Sequence, residues 1–260
     1  MSDFNNAEPR AVRRAIAAGE ITGPTAGMAA GFVQANLVIV PETHADDFGT
    51  FCESNRKACP LIDRTRPGNP SPPVAAPSAD LRTDVPRYRV FRHGLAEDGE
   101  PTDIRDLWRD VLVGFLLGCS FTFESALREA GLGVRHLDEG RNVPMYRTNI
   151  VCQPSGRFRG PMVVSMRPYR PDQVAAATEI TARYPHAHGV PIHVGDPGQI
   201  GIADLSRPDY GDAVTIHPDE IPIFWACGVT PQLALETARI DLAITHSPGC
   251  MFLTDLRREG

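Results

Sequence analysis

The sequence predicts an α/β protein whose main domain is built from both ends of the chain, with a smaller α+β domain inserted between them. Three observations carry that expectation. Strand–turn–helix units occur near both termini, the middle runs strand, helix, strand, strand, helix, and several strands end in small or Gly-rich turns, where layered sheets place ligands. The expected boundaries are residues 1–104 with 189–260 for the discontinuous domain and 105–188 for the insertion.

Asn6 can cap a first helix that runs to about Ala18, with Pro9 in its first turn and Gly19 as its stop. A turn from Gly23 to Gly27 and a short second helix lead into Leu37-Val38-Ile39-Val40, a buried strand ended by Pro41. A helix from about Ala45 to Asn55 would bury Phe48, Phe51 and Cys52, and Leu61-Ile62 reads as another short strand. From Arg64 to Val85 proline forbids helix and central strand, so this long segment is expected to be a solvated loop with local Asp–Arg pairs at Asp80, Arg82 and Asp84. Tyr88 to Phe91 then alternates as a strand.

Val111 to Leu117 is an apolar run of strand length, and Phe123, Ala126, Leu127 and Ala130 follow at helical spacing with Gly131 and Gly133 as the stop. Between them Gly118, Cys119, Ser120 and Thr122 stand where a helix exposes its first unpaired N–H groups, which is anion-binding chemistry. A plainer account makes Ser120 or Thr122 an N-cap paired with Glu124 and Cys119 a small buried hydrophobe. Met145–Cys152 and Met162–Met166 read as paired strands. The first presents Arg147 and Asn149 on one face and the second leads into Arg167, a set suited to holding a carboxylate.

A helix spans Pro171 to Tyr184, and Tyr184 to Gly189 reads as an exposed loop in preference to a metal pair formed by His186 and His188. Strand–turn–helix order returns in Ile192 to Gln199, in Ile223 to Gln232 with its helix Leu233–Arg239, and in a last strand through Ala243 and Ile244 into Thr245-His246-Ser247.

With 42% hydrophobic and 22% charged residues the chain has a globular composition, and 23 glycines with 24 prolines make it rich in turns. A net charge of −6 offers no footprint for nucleic acid, and no apolar run is long enough for a membrane span. The amino terminus lacks signal-peptide character, so a cytoplasmic protein with six reduced cysteines is expected. With this net charge an anionic substrate is expected to be held by local arginines and not by the overall field.

Several strings resemble one family as a set: Gly23-Pro24-Thr25-Ala26-Gly27, Gln34-Ala35-Asn36-Leu37, Gly118-Cys119-Ser120-Phe121, Met145-Tyr146-Arg147-Thr148-Asn149, Gly195-Asp196-Pro197, Trp225-Ala226-Cys227-Gly228-Val229-Thr230-Pro231-Gln232 and Thr245-His246-Ser247-Pro248-Gly249. They are similar to the hydro-lyase family that includes the D-glutamate cyclases, over about Pro9 to Asp255. Ser247 departs from the pattern, since the family more often has alanine there.

The resemblance implies a layered α/β sandwich domain with a smaller two-layer one, and dehydration of D-glutamate to 5-oxo-D-proline without a cofactor. Under that reading Arg147, Asn149 and Arg167 clamp the substrate carboxylate, Ser120, Thr122 and Thr230 complete its binding, and backbone N–H groups at Ser120 to Thr122 meet the oxyanion. Glu124, His193, Asp196 and His246 are the candidate acids and bases, and Cys119 a candidate covalent group. The expected partner is a small carboxylate or amino-acid substrate, with neither nucleic acid nor membrane; homo-oligomer formation is left open. A hydro-lyase acting on another small hydroxy or amino acid, or a non-catalytic binder of 5-oxoproline or a related acid, are the alternatives.

Overall fold

The computed structural model describes residues 4–258. Two antiparallel sheets form its frame. The larger is built from β1 (Phe32–Pro41), β2 (Leu61–Arg64), β3 (Tyr88–Arg92), β4 (Leu95–Ala96), β5 (Leu112–Gly118), β10 (Ala243–His246) and β11 (Phe252–Arg257), in the order β2-β5-β1-β10-β3-β4 with β11 also on β1. The smaller holds β6 (Met145–Val151), β7 (Pro161–Tyr169), β8 (His193–Val194) and β9 (Ile221–Ala226), in the order β6-β7-β9-β8. The main helices are α1 (Pro9–Ala17), α2 (Glu42–Ser54), α3 (Phe121–Glu129), α4 (Arg135–Asp138), α5 (Val174–Ala182) and α6 (Thr230–Ala238).

Strand β1 organises the larger sheet because its side chains are apolar toward both faces. Val38 and Val40 meet Phe48 and Phe51 of α2 and Leu235 of α6, while Leu37 and Ile39 point the other way, by the two-residue period of a strand. That second face is covered by the proline-rich segment, whose Ala75, Ala76, Leu81 and Val85 are fully buried. The expected solvated loop is instead a structured cover. Its backbone is pinned by Asp63, whose carboxylate accepts the N–H groups of Val74 (2.8 Å) and Ala75 (2.7 Å). The Asp80–Arg82 pair forms as expected. The short helix expected before β1 is absent, and residues 26–31 are turns.

Strand pairing crosses the expected domain boundaries at two places. Strand β5, from the middle of the chain, pairs with β1 from Ala35↔Gly118 to Pro41↔Leu112, so both chain ends and this middle strand share the larger sheet. Strand β9, from the carboxyl-terminal part, pairs with β7 from Val164↔Ala226 to Tyr169↔Ile221. The helices then exchange sides. α3 leaves β5 of the larger sheet and buries Phe123 and Leu127 against Trp225 and Ile223 of the smaller. α6 leaves β9 of the smaller sheet and buries Ala234 and Leu235 in the core of the larger. The two strand-to-helix turns therefore meet in the seam between the sheets.

Candidate active site at the seam

The turns Cys119-Ser120-Phe121 and Cys227-Gly228-Val229 line a cavity of about 20 Å³, closed by Asn36 of β1, His246 at the end of β10, and His188. Asn142, Val143, Met145, Gly249 and Met251 complete its wall. None of these lining residues carries a formal charge other than through a histidine.

Two glycines are required by close approach. A Cβ on Gly228 would stand 1.9 Å from Asn36 Nδ2, and one on Gly118 would stand 1.6 Å from the carbonyl oxygen of His186. The first lets the β9–α6 turn sit against β1. The second seats the turn Pro185–Ala187 on the end of β5, which brings His188 inward. Asn36 in turn donates from Nδ2 to the Gly118 carbonyl at 2.7 Å, tying β1 to the mouth of α3.

The helix mouths supply donors. The N–H groups of Ser120 and Gly228 have no acceptor among the described residues, while the Val229 N–H faces the Cys227 sulfur. They sit at the positive ends of two nine-residue helices, so the cavity favours negative charge although no lysine or arginine lines it.

Each histidine is anchored through one ring nitrogen. β10 and β11 lie end to end along the same edge of β1, at Val38↔Thr245 and Ala35↔Phe252, and the loop between them leaves Leu37 without a strand partner on that edge. His246 Nδ1 stands 3.1 Å from the Leu37 N–H and 3.3 Å from the Leu37 carbonyl, and the nearer N–H is satisfied by a lone pair on Nδ1 with the ring proton on Nε2. His188, whose backbone is left-handed (φ 78°), holds its Nδ1 at 2.7 Å from the Lys57 carbonyl. A carbonyl only accepts, so here Nδ1 carries the proton and Nε2 the lone pair. His188 is 2% exposed and His246 1%, and burial pushes both down to about 4, so both rings are neutral at physiological pH.

The cavity gathers three of the residues expected from sequence, Cys119, Ser120 and His246. Burial pushes the Cys119 thiol well up, and its Sγ accepts the Phe121 N–H, so a covalent role lacks its thiolate. Thr122 lies elsewhere: its Oγ1 accepts the Gln34 N–H at 3.2 Å, and it borders a separate cavity of about 450 Å³. Thr230 is spent on structure, accepting from the Val163 N–H and donating to the Cys227 carbonyl.

Arg167 and Glu124 form a buried ion pair behind Ser120. Arg167 donates to Glu124, to Ser165 Oγ (3.1 Å) and to Ser120 Oγ (3.0 Å), and lies over the rings of Phe123 and Trp225. Burial would raise the Glu124 carboxyl, but His136, 3.3 Å away, and Arg167 outweigh it and hold it below the usual range. Arg167 thus has no free edge for a substrate; it steadies Ser120.

Arg147 and Asn149 are on the surface. Arg147 donates to the Tyr210 hydroxyl at 2.8 Å and lies near Glu236 (3.6 Å) and Asp209 (3.9 Å), with its side chain 45% exposed. His193 contacts the Asp196 carbonyl at 2.7 Å and Asp196 accepts from the Gly198 N–H, so this pair closes its own exposed turn. None of these four lines the cavity. His188 and Asn36 are the residues that sequence reasoning missed. His188 was read as part of an exposed loop, yet Tyr184, Ala187 and His188 are buried.

The chain is a two-sheet α/β protein with two buried histidines and two helix amino termini around one small cavity. The D-glutamate cyclase family model matches residues 113–255, and the chain belongs to that family. It is 58% identical to "Putative hydro-lyase BLi00500/BL02808" of Bacillus licheniformis over 98% of this chain and 97% of that protein. It is 60% identical to a protein of the same general name from Rubrobacter xylanophilus over 94% of each chain, and 53% identical to "Putative hydro-lyase YcsI" of Bacillus subtilis over 96% of this chain and 97% of that one. A nitrogen repressor-like protein of Methanococcus jannaschii, 10% identical, matches 81% of this chain and 80% of its own with a TM-score of 0.36.

Proposed function

We propose that the protein is a hydro-lyase that removes water from a small carboxylic acid in the seam cavity, with D-glutamate as the first substrate to test and 5-oxo-D-proline as its product. One observation carries this reading: two helix amino termini with unspent N–H groups converge on a cavity whose two histidines each keep one ring nitrogen unspent. The unspent amides suit a carboxylate or an oxyanion. The histidines suit proton transfer and hydrogen bonding at the reacting atoms. Family membership supports dehydration as the reaction type.

The lining also favours a second reading. Because no guanidinium or ammonium faces the cavity, the two carboxylates of glutamate would both rest on neutral donors, whereas a hydroxy acid with a single carboxylate would need only one such set. A cavity of about 20 Å³ has room for roughly one water, so either substrate enters only when the walls part.

The experiment is incubation of the pure protein with D-glutamate, L-glutamate and a panel of small hydroxy and amino acids, followed by mass. Loss of one water from D-glutamate supports the cyclase. Loss from another acid selects the second reading. A thermal shift with 5-oxoproline and no turnover on any acid would leave a binding protein and defeat both.

A further inference from the structure

We propose that His188 Nε2 is the proton carrier of this site and that His246 Nε2–H is the hydrogen-bond donor to the oxygen that becomes negative; the assignment rests on the hydro-lyase reading above. Complementary tautomers carry it. The Lys57 carbonyl fixes the proton of His188 on Nδ1 and leaves a lone pair on Nε2. The Leu37 N–H lies nearer to His246 Nδ1 than the Leu37 carbonyl does, 3.1 Å against 3.3 Å, and we assign the lone pair to Nδ1 and the proton to Nε2 on that contact. Both rings line one cavity, both are at least 98% buried, and neither Nε2 has a hydrogen-bond partner among the described residues.

The chemistry balances on these two atoms. For cyclisation, the substrate nitrogen forms a bond to the side-chain carboxyl carbon and one C–O bond breaks. Two protons pass from the nitrogen to the departing oxygen, which leaves as water, and His188 Nε2 carries each in turn and ends neutral. For elimination from a hydroxy acid, His188 takes one proton from carbon and returns it to the departing hydroxyl. Nothing is oxidised or reduced. His246 gives up no proton, because doing so would leave an imidazolate; it hydrogen-bonds as a neutral donor to the developing oxyanion. Ser120, backed by Arg167, and the amides of Ser120 and Gly228 are left to hold the substrate carboxylate.

Asparagine separates the anchor from the reacting atom. In His188→Asn the amide Nδ2 takes the place of Nδ1 and can still donate to Lys57, and asparagine accepts the left-handed backbone. In His246→Asn the amide oxygen can still accept from Leu37. On whichever acid the wild type dehydrates, His188→Asn is expected to lower kcat by roughly a hundred- to ten-thousand-fold, and His246→Asn by roughly a hundred- to a thousand-fold, with KM within about threefold in both. Unchanged kcat in a folded variant overturns the assignment for that residue while leaving the hydro-lyase reading intact. A wild type that dehydrates no acid sinks the reading itself, and the assignment with it. If a variant fails to fold, nitrogen-15 spectra of the histidine rings in the wild type decide. A protonated Nδ1 in one ring and a protonated Nε2 in the other support the proposal, and the same tautomer in both, or a charged ring at neutral pH, overturns it.

Discussion

Two buried polar clusters lie back to back at the seam, and they differ in what they leave over. Behind Ser120, Arg167 donates to Glu124, Ser165 and Ser120 and lies against the rings of Phe123 and Trp225. In front of Ser120, His188 and His246 spend one nitrogen each on the backbone and keep the other. A guanidinium with four of its five N–H groups bound to the protein fixes geometry. A ring half spent can do chemistry. Residue type alone points to the arginine as the substrate ligand, and the hydrogen-bond inventory points to the histidines.

The comparison breaks most visibly by stability. Arg167→Ala leaves the Glu124 carboxylate buried beside His136 without its main counter-charge, and should cost about 3 to 5 kcal/mol in denaturant unfolding. His188→Asn, which keeps its anchor, should cost much less, so an equal loss in both variants would erase the distinction. Gly228→Ala should come next. Its new methyl must push Asn36 away from the Gly118 carbonyl, at about 1 to 3 kcal/mol, and turnover should fall with it because the β9–α6 turn forms the cavity wall.

Acid separates the two clusters more gently. The histidines are held down to about 4 against an ordinary 6.5, so the unfolded chain binds more protons than the native one between those values. Stability is therefore complete above about pH 6.5 and falls with acid by up to about 1.4 kcal/mol per pH unit for each histidine until about pH 4. Glu124, held below its ordinary 4.5, keeps its contribution above that value and loses it only further into acid. Urea midpoints from pH 8 to pH 3 should show the histidine phase first, reduced in His188→Asn. A single phase confined to the region below pH 4.5 would contradict the neutral histidines.

The smallest effect is expected at Arg147. Its partners Asp209, Tyr210 and Glu236 form a surface network, so Arg147→Ala should change stability by less than about 1 kcal/mol and leave kcat/KM close to wild type. A loss of ten-fold or more would restore this arginine to substrate binding.

Legibility in the sequence followed the range of the contacts. The β5–α3 and β9–α6 units were readable because a strand pattern changes to a helix pattern within a few residues; Cys119 and Ser120 came with the first of these turns, and His246 with the end of a strand. Asn36 gave a signal that went unused, as a polar residue inside an apolar strand. His188 gave almost none. Its burial is set by Gly118, far away in sequence, which admits the His186 carbonyl and so draws the turn inward. Period-2 spacing placed Arg147 and Asn149 on a common face of β6 but could not say that this face meets the loop carrying Asp209 and Tyr210. The exchange of α3 and α6 between the sheets was hidden for the same reason: amphipathic periodicity shows that a helix buries a face, not against which sheet.

The size of the seam cavity has a kinetic meaning. A chamber with room for about one water admits a ligand only through a rarer, wider conformation, so the measured affinity is the intrinsic affinity reduced by the fraction of molecules that are open. If opening precedes binding, the observed association rate cannot exceed the opening rate, and it should level off as ligand concentration rises. The turn carrying His188 is one wall of that chamber, so an opening made at that wall would take the proton carrier away and its return would assemble the site around the substrate.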